Sequence, residues 1–265
     1  MCIRDSTVND LKNAICVVAH PDDEVLWFAS ILEEISHVIT VYRDVPEDLD
    51  LGRKRADVIT RLPYDVVSLA ITEAGTYDPA HWQKPEISRF GLSLAPHAAS
   101  AQTIANYEGN YSLIRAQLEK QLPIKTTVFT HNPWGEYGHA DHVQVYRVLS
   151  DIRDKLQLSI NVSPYISSRS RALAERYIES RANDTDQRPI DSGFAERVAN
   201  IYKRCKCWTW ADDWSWNETE QFLPEPVFIG TERSADNLGN STRTCRIPSS
   251  IGERTSLRLQ LNTRV

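Results

Sequence analysis

The sequence is poor in cysteine, has no surplus of basic charge and contains no long apolar run. It holds five cysteines in 265 residues, an odd number, with Cys16 inside a strongly apolar stretch. That pattern argues against a disulfide framework and for reduced thiols in a cytoplasmic setting. Cys205 and Cys207 are separated by one residue, not by the two of zinc knuckles and redox motifs, and read as structural thiols. Lys and Arg total 30 against 36 Asp and Glu, a formal net charge of −6. Nothing in that balance calls for a nucleic-acid partner, although a local arginine cluster can still serve an anionic substrate. No stretch approaches the ~18 apolar residues that a membrane span needs. Met1–Ser6 carries charges of both signs and leads into no apolar segment, so it reads neither as a secretory signal nor as part of any element. Internal repeats and low-complexity tracts are absent.

What is present is an ordinary globular mixture, 41% hydrophobic and 25% charged. A chain of this length fits one large α/β domain, able to bury roughly three quarters of its unfolded surface without disulfides. Ala14–Ala19 is a continuous apolar run of strand length, as expected of a central parallel strand covered on both faces. It ends at His20-Pro21-Asp22-Asp23-Glu24, where Pro21 bars helix for His20 and Asp22 or Asp23 can cap the helix beyond. Phe28, Ile31, Leu32 and Ile35 then recur at helical spacing, and Val38–Tyr42 predicts a second strand. The alternation continues with helices over Gly52–Arg61, Tyr111–Leu122 and His142–Asp154, and strands over Asp65–Ile71, Thr126–Thr130 and Ser159–Val162. This order predicts a Rossmann-like, mostly parallel sheet with helices on both faces, in three layers. Glu73–Asn110 is the exception, a long weakly periodic segment of the kind that is usually functional or mobile. Beyond it, Phe194–Lys203 predicts a helix and Glu225–Ile229 a late strand, and the chain from Thr231 on predicts poor order until Ser256–Leu261.

Two motifs carry chemistry. The first, His20–Glu24, sets one imidazole and three carboxylates at the carboxyl end of strand one, where parallel α/β sheets place their sites. The second, Thr130–His142, comes after another strand, opens another helix, and holds His139 and His142 beside Gly135 and Gly138. Together they offer His20, Asp23 and His142, three ligands from two loops, and three protein ligands with an open position suit a catalytic zinc. Water there would have its pKa lowered to about 7, and Asp22, beside Asp23, is placed to take the proton.

These paired motifs resemble the PIG-L/LmbE family of zinc N-deacetylases over roughly residues 15–166, with a weaker echo at 195–222. The resemblance implies zinc on His20, Asp23 and His142, Asp22 as general base, and His139 and Tyr137 polarising the carbonyl and stabilising the tetrahedral intermediate. It also implies an arginine after strand two that contacts substrate; Arg53 and Arg55 both occupy that stretch without the family's Arg-x-x-Glu pattern, and Trp134 is a third candidate contact. On this reading residues 7–230 form a single LmbE-like catalytic domain and 231–265 a C-terminal tail. The expected cofactor is one Zn²⁺, with Fe²⁺ the alternative occupant. The expected partner is an N-acetylated amino sugar or its conjugate, hydrolysed by water attacking the amide, and a homo-oligomer stays open.

Three other readings compete. The same metal site would serve an amidase of a larger thiol or acyl conjugate. Two His and one carboxylate also describe a non-haem iron oxygenase, which needs no base at Asp22 and tends to sit in a β-rich barrel. A non-catalytic carbohydrate-binding protein would have no use for Asp22, His139 and Tyr137 together. Elsewhere, Glu24 and Asp141 suit helix starts or bonds behind the ligands, and His131 a similar place or a backbone contact. His37, His81 and His97 have no motif around them. Trp208, Trp210, Trp214 and Trp216 alternate as a half-buried face or a sugar-stacking wall, and Arg169, Arg171, Arg176 and Arg181 read as a solvated face.

Overall fold

The computed structural model describes residues 11–95, 97–178 and 187–229. Its centre is a sheet whose first strand, β1 (Ile15–Val18), is buried at all four positions, as a doubly covered strand must be. The chain continues through α1 (Asp23–Trp27), β2 (His37–Asp44), α2 (Leu49–Ile59) and β3 (Val66–Thr72). Next come a small hairpin of β4 (Ile87–Ser88) and β5 (Gly91–Leu92), then α3 (Ala101–Gln121), β6 (Thr127–Thr130), α4 (Ala140–Leu156) and β7 (Ser159–Val162). The last described part holds α5 (Arg171–Ala174), β8 (Tyr177–Ile178), β9 (Arg188–Pro189), α6 (Ser192–Arg204), β10 (Thr219–Glu220), β11 (Leu223–Pro224) and β12 (Val227–Phe228).

The main sheet has the order β11-β7-β6-β1-β2-β3, parallel throughout except for β11. Alternation along β1 divides the core into two. Ile15 and Val17 pack with Ile114 and Leu118 of α3 and Leu149 and Ile152 of α4, while Cys16 and Val18 pack with Val25 of α1 and Val198 and Tyr202 of α6 on the opposite face. The three-layer α/β fold expected from the sequence is therefore present. The strand order runs from β1 outward to β3 and then resumes on the other side of β1 with β6. This reversal leaves a crevice at the carboxyl ends of β1 and β6, where such sheets bind ligands. The pairing of Val17 with Thr130 sets the two motif loops side by side.

Three expectations are corrected. The apolar spacing of Phe28, Ile31, Leu32 and Ile35 does not extend one helix: α1 ends at Phe28 (φ −141°), and a 3₁₀ turn occupies Ala29–Ile31. The Glu220 carboxylate, 190 residues away, accepts the N–H groups of Ala29 and Ser30 and so starts a new turn. Helix α3 begins at Ala101, ten residues before the expected start, on a Ser100 cap whose Oγ accepts the Thr103 N–H. Its first turns are largely exposed and carry little apolar periodicity, which hid them inside the expected loop. The strand expected at Glu225–Ile229 shortens to β12, antiparallel to β8, and β11 just before it pairs antiparallel with β7. The 231–265 tail, Ser256–Leu261 within it, Arg181 and the N-terminal hexapeptide lie outside the described residues. Among the described residues no helix is long and apolar enough to cross a membrane.

The core under α4 gives a direct check of this packing. Leu149 is fully buried among α3, α4 and the sheet. Leu149→Ala is expected to cost about 2–5 kcal/mol of unfolding free energy, measured by chemical denaturation.

Candidate metal centre

The loop after β1 turns sharply. Asp22 stands at φ +100°, left-handed for a residue with a side chain, and its carboxylate makes no capping bond to α1. It turns instead to a late segment of the chain, where Oδ2 accepts both the N–H (2.9 Å) and the Oγ1–H (2.8 Å) of Thr209. The next residue, Asp23, folds back so that its Oδ2 accepts the His20 N–H at 2.7 Å. Glu24 closes the turn from below, accepting the Asp22 N–H on one oxygen and the hydroxyls of Tyr64 and Tyr202 on the other.

The loop after β6 supplies the opposite wall. Gly135 (φ +69°) and Gly138 (φ +92°) are required by this path: a Cβ on Gly135 would meet the His139 carbonyl at 2.6 Å, and one on Gly138 would meet Arg169 at 2.7 Å. The two loops bring Asp23 Oδ2 to 3.3 Å from His20 Nδ1, 3.3 Å from His142 Nε2 and 3.5 Å from His131 Nε2. His20 Nε2, His142 Nε2 and Asp141 Oδ2 are buried with no hydrogen-bond partner among the described residues.

Three overlapping groups could hold a metal ion: His20, Asp23 and His142; His20, His139 and Asp141; and His131, Glu136 and His142. Hydrogen bonds separate them. His131 and His142 both place Nδ1 against Glu136 Oε2, so the third group spends those atoms on each other, and His139 Nδ1 accepts the Asp141 N–H, which takes that nitrogen out of the second. The first keeps the His142 Nε2 lone pair unused, which is what a cation requires. The charge balance agrees. Asp22, Asp23, Glu24, Glu136 and Asp141 are all buried, and Arg55 is the buried guanidinium beside them. Burying like charges without compensation is costly, and a divalent ion on this donor set would offset it.

The titrating groups reflect this crowding. Burial, reinforced by the Asp23 charge, pushes the Asp22 carboxyl up to about 7 in spite of Thr209. Burial, with His20 and His142 beside it, keeps His139 well below its ordinary value and therefore neutral. Because His139 Nδ1 accepts a backbone N–H, its proton sits on Nε2. Burial, then Asp23 and Asp22, raise Tyr137 well above the phenol range, so it stays protonated and able to donate.

The remaining predicted site residues divide. Arg55 is buried, with Nη1 2.5 Å from Glu73 Oε1, and that oxygen lies 3.5 Å from His20 Nε2. Arg55 thus reaches the centre through Glu73. Arg53 points to solvent, its side chain 78% exposed and paired to Asp50. Trp134 is fully buried and donates its indole N–H to the Tyr165 carbonyl. It belongs to a third core cluster and is not brought to the centre. The aromatic wall is built of other residues: Trp210 lies 4.7 Å from Tyr137 by ring centroids, and Trp27 packs against Tyr165, Trp210 and Trp214. Trp208, Trp210, Trp214 and Trp216 all pack partly buried on the α6 side of the core. Arg169 does not face solvent as a helix stripe; it lies over the Tyr77 ring and donates to the Tyr77 carbonyl.

Sequence reading passed over Glu73, Thr209 and Glu136. Glu136 lies inside the second motif between two glycines and was legible there. Glu73 and Thr209 carry no local signal and meet the centre only through the fold.

No family profile matches the sequence, and no curated protein does. The fold is that of solved deacetylases. A deacetylase crystallised with teicoplanin, from the teicoplanin biosynthesis pathway, is similar at a TM-score of 0.51 and 14% identity, covering 81% of this chain and 98% of that one. Teicoplanin deacetylase in a zinc-inhibited form gives a TM-score of 0.51 at 13% identity, with the same coverages of 81% and 98%.

The Arg55–Glu73 pair can be tested alone. Arg55→Met would leave a largely buried carboxylate beside the centre without its cation, and a loss of about 3–5 kcal/mol in stability is expected. The Arg55→Met/Glu73→Gln double variant should recover part of that loss in the same denaturation measurement.

Proposed function

We propose that this chain is a metal-dependent hydrolase that removes an N-acetyl group from an amino sugar or its conjugate. The observation that carries the reading is the convergence of His20, Asp23 and the unused Nε2 of His142 beside Asp22, a buried carboxylate whose hydrogen bonds among the described residues all fall on one oxygen. A divalent ion, Zn²⁺ by the donor set and Fe²⁺ as the alternative, supplies Lewis acidity that lowers the pKa of a water and polarises a carbonyl.

The chain's own residues do the rest. His20, Asp23 and His142 hold the ion. Asp22, poised near neutrality by burial, accepts the proton of the attacking water through Oδ1 and can pass it to the leaving amine. His139, neutral with its proton on Nε2, and Tyr137, a protonated phenol with no hydrogen bond among the described residues, donate to the carbonyl oxygen as negative charge develops. Trp210 and Trp214, half-buried and edge-to-face with each other, supply flat apolar faces of the kind that stack on sugar rings. The two structural neighbours support a deacetylase, and the one crystallised with teicoplanin supports a conjugate over a free sugar. Residues 7–230 as one catalytic unit belong to the same reading.

The direct experiment incubates zinc-loaded protein with a panel of N-acetylated amino sugars and conjugates and measures released acetate, with His142→Ala as control. Release by wild type and none by His142→Ala, together with lost zinc, is expected. Equal zinc in both proteins would remove His142 from the ligand set.

The proton and oxyanion roles separate kinetically. Asp22→Asn is expected to keep its metal and lose on the order of 10²–10⁴ in turnover. His139→Ala should keep its metal and lose on the order of 10²–10³ in kcat, with Tyr137→Phe losing less. A change confined to KM would make His139 a ground-state contact.

A further inference from the structure

Glu136 has no part in the reaction just described, yet the second loop is built around it. Its side chain is fully buried. Oε2 lies 2.8 Å from His142 Nδ1 and 3.1 Å from His131 Nδ1, and Oε1 accepts the Asn132 N–H at 2.9 Å. The backbone is drawn in as well. The Glu136 N–H donates to Asn132 Oδ1, and its carbonyl accepts from the Ser170 hydroxyl and the Ser167 N–H. Glu136 takes φ +49°, a conformation an L residue adopts only when its surroundings impose it.

These contacts fix where protons sit. The Ala19 N–H, which can only donate, points at His131 Nε2 from 2.8 Å. That nitrogen must therefore be an acceptor, and the His131 proton lies on Nδ1, directed at Glu136. The same carboxylate oxygen can only accept from His142 Nδ1. Its proton must lie there too, leaving the Nε2 lone pair free 3.3 Å from Asp23 Oδ2. The His131 ring stacks on His142 at 3.7 Å between centroids and 25° between planes, which sets the ring's plane as well as its tautomer.

We propose that Glu136 is a positioning residue that locks His142 in its Nδ1–H tautomer and aims the Nε2 lone pair at the metal site, with His131 as the strut tying it to the end of β1. The inference rests on His142 being a metal ligand. A ligand histidine with its other N–H on a carboxylate is the general way such rings are oriented, and loss of the partner typically weakens metal binding. Glutamine is a sensitive replacement. Its single amide oxygen cannot serve both the Asn132 N–H and two imidazole N–H groups, and its NH₂ would meet a ring proton.

The test reads tautomers and affinity, not turnover. In metal-free, ¹⁵N-labelled wild-type protein, long-range ¹H–¹⁵N correlation is expected to show both His131 and His142 as Nδ1–H. Finding His142 as Nε2–H overturns the proposal, whatever the variants do. In Glu136→Gln, a measurable Nε2–H population of His142 is expected, with zinc affinity by chelator competition weaker by about 10–100-fold. Unchanged tautomers and unchanged affinity in that variant also overturn it. A wild-type protein that binds no zinc would sink the ligand reading instead, and the metal-free spectrum would still decide the tautomer.

Discussion

Asp23 Oδ2 stands within 3.5 Å of nitrogens from three imidazoles, and the arrangement of the two loops depends on that meeting. Two of the three rings have a second hydrogen-bonded anchor. His142 and His131 find theirs on Glu136, His131 also on the Ala19 N–H, and His20 Nε2 lies near Glu73 and Asp141. The parallel pairing of β1 with β6 makes the meeting possible, because it brings two loops more than 100 residues apart in sequence to one crevice.

The centre is expensive, and the structure shows where that cost is offset. Glu24 is satisfied by two tyrosine hydroxyls and a backbone N–H, and one oxygen of Asp141 by the Thr76 hydroxyl. Arg55 answers Glu73. Strained backbone at Asp22 and Glu136 is held by the contacts on either side, as is common where a side chain must be aimed and not merely buried. The same burial that makes the cluster costly sets its chemistry: it raises Asp22 toward neutrality and keeps His139 uncharged.

The late segment at 207–216 acts as more than cover for the core. Thr209 holds the Asp22 carboxylate by two hydrogen bonds, and Trp210 meets Tyr137. The segment therefore orients Asp22 and packs an aromatic ring on Tyr137 at once.

The sequence by itself determined the strand–helix alternation, the doubly covered strand at 15–18 and the two motif loops, because each rests on local pattern: apolar runs, Pro21, and the density of His and carboxylates beside glycines. It also named the two loops as the source of the His and carboxylate donors that the fold gathers. Only tertiary structure decided what those residues meet. Asp22 turns to Thr209, 187 residues away, and does not cap its own helix; Arg55 turns inward to Glu73 while Arg53 points to solvent; Trp134 disappears into the core, and Trp27 is buried behind Trp210 and Trp214. The break after Trp27 likewise depends on Glu220, which no window around residue 28 contains. Local spacing specifies which face of an element is apolar. The partner of a buried charge is chosen by electrostatics across the folded crevice, between residues that sequence separates.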